Sequence, residues 1–342
     1  MINTHLIIGR LGSGKTSCIK HLITHKPENE RWAILVNEFG QIGLDAALLE
    51  TSPDDEIQIT EIAGGCICCA AKSQLRISLN NLIKTHQPDR LIIEATGLGH
   101  PAAIIDLLRD EFMKKIIDIN SVITVVDLTL FGSPYDAANK KSPLTTESFS
   151  QQTQLADIII LNKSDLAEKE NIINAKKYLE TIYPKKNQII QSHHGEVPVD
   201  ILLQTTRTDY HPLNYPEISD SYKSDSDEFM LGQYTVKSYC SETNDFLSFG
   251  FIFPADIIFN RKSIETFIEE KCSRKSTDIV RLKAVLNCGK FWYAFNVSDM
   301  QIERYESFYR RDSRIEFITS NKQTDIDKFK TLLIDSIKLP VK

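Results

Sequence analysis

GRLGSGKT, residues 9–16, decides how the first half of the chain is read. It follows the short apolar run HLIIG (5–9) and precedes residues suited to a helix. The spacing fits Gly-x-x-x-x-Gly-Lys-[Ser/Thr], a loop whose backbone N–H groups close around phosphate oxygens. Gly9, Gly12 and Gly14 allow the backbone the close approach that this needs. Lys15 supplies a point charge to the β- and γ-phosphates, and the Thr16 hydroxyl is a hard oxygen ligand for Mg²⁺. Ser13 and Ser17 complete the candidate phosphate cradle, and the dipole of the following helix adds to its attraction.

Working outward, WAILVNE (32–38), RLIIEAT (90–96), SVITVVD (121–127), ADIIILN (156–162) and NQIIQS (187–192) are short, rich in β-branched residues and apolar on both faces. Such runs suit buried parallel strands. Leu75, Leu79, Leu82 and Ile83 have helical spacing, and Pro101 stands where a helix carrying Ile104, Ile105, Leu107 and Leu108 would begin. Residues 1–205 are therefore expected to form an α/β domain with a mostly parallel sheet and helices on both faces. Residues 206–230 are polar, acidic and aperiodic, and read as a linker. Residues 231–342 read as a smaller α+β domain. Leu247, Phe249, Phe251 and Phe253 alternate along one strand, 279–286 and 291–297 flank a hairpin loop, and helices are expected near 263–272 and 325–337. Arg281 and Lys283 fall opposite Val280 and Leu282, as a partner surface or a solvated face.

The 342 residues exceed what one core usually organises, which also points to two domains. A formal charge of −6 gives no basic surface for nucleic acid. No apolar run is long enough to cross a bilayer, and the N-terminus reads as an immediate strand rather than a leader. Seven cysteines, four of them scattered, argue against a disulfide framework and for a reducing compartment, the cytoplasm.

LNKSD (161–165) ends another apolar strand. The Asp165 carboxylate can accept from guanine N1–H and its 2-amino group, donors that adenine does not present together. Lys163 can lie over the base, and Asn162 can tie this loop to the phosphate loop. After a phosphate loop, this pattern favours GTP over ATP. In IIEATGLGHP (92–101), Glu94 can hold Mg²⁺ and the Gly97 N–H can meet a γ-phosphate and swing away on hydrolysis. In VNEFGQIGLD (36–45), Glu38 could approach Mg²⁺, the attacking water or a second metal, or simply be a solvated strand end; Asp45 is a weaker candidate. Asp127 also ends a strand, with no role assigned. His193 and His194, in SHHGEVP (192–198), suggest metal ligands at first sight but read instead as a solvated loop near the base.

EIAGGCICCAA (61–71) places Cys66, Cys68 and Cys69 within four positions, with Cys69 near a helix N-terminus where thiolate is favoured. Soft thiolates prefer Zn²⁺ or Cu⁺ to Mg²⁺. Three of them leave a fourth position for water, a nearby side chain or a partner's ligand, which suits a metal that must leave.

The phosphate loop, NEFG, GGCICC, EATGLGHP and NKSD, in this order, resemble the CobW family of metal-chaperone GTPases. GLGHP and DSRIEF (312–317) are most similar to its YeiR-type zinc-binding branch. The resemblance implies a SIMIBI-class P-loop GTPase domain. It further implies metal-stimulated GTP hydrolysis and delivery of Zn²⁺ or Co²⁺ to a client protein. It makes Cys66, Cys68 and Cys69 the metal site and leaves self-association open. Ala284 stands where the family more often has glycine, and the long His-rich tract of many relatives is missing. A regulatory GTPase with structural zinc, a cobalt chaperone for cofactor assembly and a P-loop kinase are the alternatives. NKSD and the lack of an evident acceptor site weigh against the last.

Overall fold

A computed structural model describes residues 1–38, 57–63, 70–95, 101–131, 147–180, 182, 186, 188–203, 225–242, 246–272, 279–298 and 301–338. The chain divides into two units, Met1–Asp209 and Tyr210–Lys342.

The first unit is built on strands β1 (Ile2–Gly9), β2 (Trp32–Glu38), β3 (Ile57–Ala63), β4 (Arg90–Ala95), β5 (Ile117–Asp127), β6 (Ile158–Asn162) and β7 (Gln188–Gln191). They lie in the order β3-β2-β4-β1-β5-β6-β7, and every pairing is parallel. All six residues of β4 and all five of β6 are buried, as the two-sided apolar runs require. One face packs on α1 (Lys15–Thr24) through Cys18, Ile19 and Leu22. On the other, Ile159 and Leu161 meet Phe149 of α4 (Glu147–Leu155) and Tyr178 of α5 (Lys169–Glu180). Between them in sequence, α2 (Ala70–His86) buries Leu75, Leu79 and Leu82, and α3 begins at Pro101 and ends at Leu108. A short α6 (Asp200–Leu203) adds Ile201 and Leu202 to the α1 face.

β1 lies between β4 and β5, so the chain leaves it toward one edge and later returns to its other side. The crevice beyond the carboxyl ends of strands at such a reversal is where open α/β sheets bind ligands. The phosphate loop follows β1 at that place.

A polar cluster is buried in the same sheet. Arg90 donates to both Glu30 carboxylate oxygens, at 2.9 and 3.1 Å, and to His5 Nε2 at 2.8 Å, and it also donates to the Leu202 carbonyl. His5 Nδ1 lies 2.7 Å from Ser121 Oγ. Burial, and then the Arg90 charge, hold the His5 pKa down at about 3.

The second unit comprises β8 (Asp225–Leu231), β9 (Tyr234–Glu242), β10 (Leu247–Pro254), α7 (Arg261–Cys272), β11 (Ile279–Asn287), β12 (Trp292–Ser298), β13 (Gln301–Ser307), β14 (Asp312–Thr319) and α8 (Ile326–Asp335). Its sheet, in the order β13-β12-β11-β14-β10-β9-β8, is antiparallel throughout. The alternating Leu247, Phe249, Phe251 and Phe253 enter one core with Ile264 and Phe267 of α7, Phe329 and Leu333 of α8, and Ala284. Phe249 stacks on Phe317 at 4.9 Å and meets Phe329 edge-on at 5.3 Å. Lys283 is in register with Glu316, which is 1% exposed, so this face of β11 is not simply solvated.

The linker reading of 206–230 is corrected at its end. Residues 225–230 belong to β8, paired along its length with β9. Asp and Ser suggest coil, but Phe229 and Leu231 pack against the core, and an edge strand tolerates charge. The rest of that stretch lies outside the described residues.

Candidate nucleotide site

The phosphate loop runs from Gly9 to the first turn of α1. A Cβ on Gly9 would overlap the Val125 carbonyl and lie 2.8 Å from Ser13 Oγ. Gly14 caps α1 with φ 99°, and a Cβ there would overlap Asn162 Nδ2. Gly12, at φ 75°, faces open space, so its glycine serves the backbone angle alone. The Ser13 hydroxyl is buried with no hydrogen-bond partner among the described residues, as expected for a group awaiting an oxygen-rich ligand. Lys15 is buried and donates from Nζ to the Arg10 carbonyl at 3.1 Å, so its ammonium already points into the loop. Ser17 follows on α1, against the backbone of Gly195.

Thr16 Oγ1 donates to Glu94 Oε1 at 3.3 Å, joining residues 78 positions apart. A hydroxyl and a carboxylate are hard oxygen donors, a pair that fits Mg²⁺. Cys18, directly below, is fully buried; burial, and secondarily the Glu94 carboxylate, push its thiol up to about 12, so it is inert.

Asn162 ties three segments together. Its Nδ2 donates to the Ser13 carbonyl at 2.9 Å, and its Oδ1 accepts from the Gly195 N–H at 3.1 Å. Ser164 N–H donates to the Ser192 carbonyl at 3.0 Å, which adds a second link between the 162–165 and 192–196 loops. Lys163 has φ 62°, and its Nζ donates to Asp127 Oδ2 at 2.6 Å. The partial burial of Asp127 opposes its ionisation, but the Lys163 and Thr129 hydrogen bonds outweigh this and hold its carboxyl below the usual range. Asp127 thus positions Lys163 of the 162–165 loop, a role its sequence context did not suggest. Asp165 is partly exposed, with His194 Nε2 3.7 Å from its Oδ2. His193 Nδ1 lies 3.2 Å from Glu196 Oε2.

Gly195 was missed by sequence reasoning. It has φ 80°, and a Cβ there would lie 2.6 Å from the Ser17 carbonyl carbon and the Cys18 nitrogen. The signal was a glycine after a strand and a pair of turn-prone polar residues, too common a pattern to single out.

The structure therefore joins Ser13 to Asn162 and Thr16 to Glu94, with Lys15 between them in sequence. Gly97, Asp45, Cys66, Cys68 and Cys69 lie outside the described residues, as does the side chain of Glu38. The backbone of Glu38 ends β2, in register with Ala63 at the end of β3, and Val36 is in register with Glu94. β3 ends at Ala63, three residues before Cys66, and α2 begins at Ala70, the residue after Cys69. Among the described residues, Cys18, Cys272 and Cys288 are free thiols, and no three His, Cys, Asp or Glu side chains are arranged around a common metal position. No helix among them is long and apolar enough to cross a membrane.

The nucleotide-binding domain family of CobW, HypB and UreG matches residues 3–190. The zinc chaperone YeiR of Escherichia coli (strain K12) is 33% identical over 333 residues, 94% of each chain. The zinc chaperone CobW of Pseudomonas aeruginosa is 28% identical over 220 residues, 58% of each chain. Among solved structures, the Zn(II)-bound YjiA GTPase from E. coli aligns over 98% of this chain and 99% of that one, at 17% identity and a TM-score of 0.47.

Proposed function

The chain belongs to the CobW/HypB/UreG family, and from that membership we propose that it is a GTP-hydrolysing zinc chaperone. The observation that carries the nucleotide half is the Asn162 clasp between the phosphate loop and the two loops expected at the base. Gly9, Gly12, Ser13, Gly14, Lys15, Thr16 and Ser17 take the phosphates; Asn162, Lys163 and Asp165 take guanine. Lys15 exchanges the Arg10 carbonyl for phosphate oxygens, a charge-assisted bond of greater strength. Thr16 and Glu94 hold Mg²⁺, which when bound supplies positive charge to the phosphate oxygens. Glu38 orients the water or meets a metal, and the Gly97 N–H senses the γ-phosphate.

Zinc is the cargo, held by Cys66, Cys68 and Cys69. The relatives named zinc chaperones support this, as do the ends of the thiol segment. Ala63, three residues before Cys66, is in register with Glu38, and β4, on the other side of β2, carries Glu94 toward the same carboxyl end of the sheet. Rearrangement on loss of the γ-phosphate would reach the thiols through a few residues of backbone, and metal would pass to a client protein. The free thiols of Cys18, Cys272 and Cys288 suit a reducing cytoplasm.

Turnover with GTP and with ATP, each with and without Zn²⁺, tests the reading. Preferential hydrolysis of GTP, raised by Zn²⁺, is expected. Equal turnover of ATP would contradict the base assignment, and turnover indifferent to Zn²⁺ would contradict the metal coupling.

A further inference from the structure

β13 is an edge of the second unit's sheet, hydrogen-bonded to β12 on one side only among the described residues. Residues 301–306 of this strand are all exposed, Ile302 at 41% and Tyr305 at 50%. Along such an edge, alternate residues leave their N–H and C=O groups ready to pair with another strand. Charge on an edge repels a second strand only where like signs meet. In QIERYES (301–307), Ile302, Arg304 and Glu306 share one face, while Glu303 and Tyr305 share the other. Arg304 is in register with Phe295, which lies in the core with Ile264 and Ile268 of α7, so the first face is the helix side of the sheet.

The two edges of this sheet differ. β8 carries Asp225, Asp227 and Glu228 and no basic residue, so a second copy of it offers no opposite charge. β8 against β13 would be head-to-tail, an arrangement that need not close. A second β13 does offer opposite charge. Two copies that continue one antiparallel sheet about a two-fold axis set residues of the same face opposite each other, so the axis passes through a residue. An axis at Glu303, Arg304 or Glu306 sets that charge against itself. An axis at Tyr305 pairs the two tyrosines, sets Arg304 opposite the partner's Glu306 and Glu306 opposite the partner's Arg304. Arg304 Nη1 already donates to Glu265 Oε1 at 2.5 Å, which holds the guanidinium on this face and leaves N–H groups for a second carboxylate.

We propose that β13 pairs with β13 of a second copy of this chain, in the antiparallel register centred on Tyr305, so that the two sheets become one. The dimer is isologous and closed, since each copy uses its one charge-complementary edge. A single strand pair lies at the small, transient end of interfaces, so association is weak and depends on concentration. It uses neither the phosphate loop nor the cysteine motif, so it is independent of nucleotide and zinc.

Sedimentation velocity of the full-length protein, in EDTA and without nucleotide, from micromolar to submillimolar concentration, tests this apart from the proposed function. The wild type should pass from monomer to dimer. Arg304→Glu and Glu306→Arg each turn two opposite-charge pairs into two like-charge pairs, and each should weaken self-association by about tenfold or more. Mixed together, the two variants should regain wild-type association, because each meets the charge it lacks. Tyr305→Lys leaves the Glu265 bond in place and sets two ammonium groups on the axis, so it should lose association as well and serves where circular dichroism shows the Arg304 variant unfolded. A wild type that stays monomeric throughout, folded single variants that associate as the wild type does, or folded Arg304 and Glu306 variants that fail to associate when mixed would overturn the proposal.

Discussion

Asn162 donates to the Ser13 carbonyl at 2.9 Å across 149 residues of sequence. With the Gly195 N–H on its other atom, one amide holds three loops in register. Asn162→Ala removes two buried hydrogen bonds and leaves their partners unsatisfied. At about 1 kcal/mol per bond, the first unit should lose about 2 kcal/mol of stability. GTP affinity should fall by tenfold or more, since about 1.4 kcal/mol is a factor of ten. Urea melts and nucleotide titrations check both, and unchanged GTP affinity would show that the loops hold their places without the clasp.

Asp165→Asn keeps the size of the side chain and exchanges one acceptor for a donor. It should cut GTP affinity by about 100-fold, from two hydrogen bonds to a charged acceptor at about 1.5 kcal/mol each. Xanthosine triphosphate, which carries a carbonyl where guanine has its 2-amino group, should bind the variant better than it binds the wild type. Competition binding reads both changes, and an unaltered GTP-over-ATP preference would remove Asp165 from base recognition.

Lys15→Ala deletes the positive charge pointed into the phosphate loop and should lower GTP turnover by about 100-fold or more, as losses of transition-state charge stabilisation do. Thr16→Ala should weaken the Mg²⁺ dependence of nucleotide binding. Near-normal turnover in the Lys15 variant would mean that the phosphates bind elsewhere.

His5 makes stability depend on pH. The unfolded histidine takes a proton near 6.5, whereas the folded one resists down to about 3. Between those values the unfolded state binds more protons, so stability falls as pH falls through the window, by up to about 1.4 kcal/mol per pH unit. Urea midpoints at pH 7 and pH 5, for the wild type and for His5→Gln, test this. The variant should show the shallower dependence, and equal slopes would assign the effect to other groups.

Much of this site was legible because its chemistry is local. The Gly-x-x-x-x-Gly-Lys-Thr spacing, the two-sided apolar strands and the Asn-Lys-x-Asp run each declare themselves within a few residues. The pairing of Lys163 with Asp127 spans 36 residues and depends on β5 and β6 being neighbours, so it was not readable from either strand alone. Gly195 needed the loop's approach to α1 before its glycine meant anything. The strand at 225–231 was hidden by its acidic composition, because edge pairing is set by backbone and by two apolar side chains.

Zn²⁺ affinity measured with GTP analogue, with GDP and without nucleotide tests the coupling of metal to hydrolysis most directly. Zinc should bind more tightly with the triphosphate than with GDP, by roughly 5- to 150-fold, the usual range of coupling between sites. By linkage, Zn²⁺ should raise the preference for triphosphate over GDP by the same factor. Replacing Cys66, Cys68 and Cys69 with serine should abolish that difference. Equal zinc affinity in the two nucleotide states would contradict a delivery cycle and leave a GTPase whose zinc is structural.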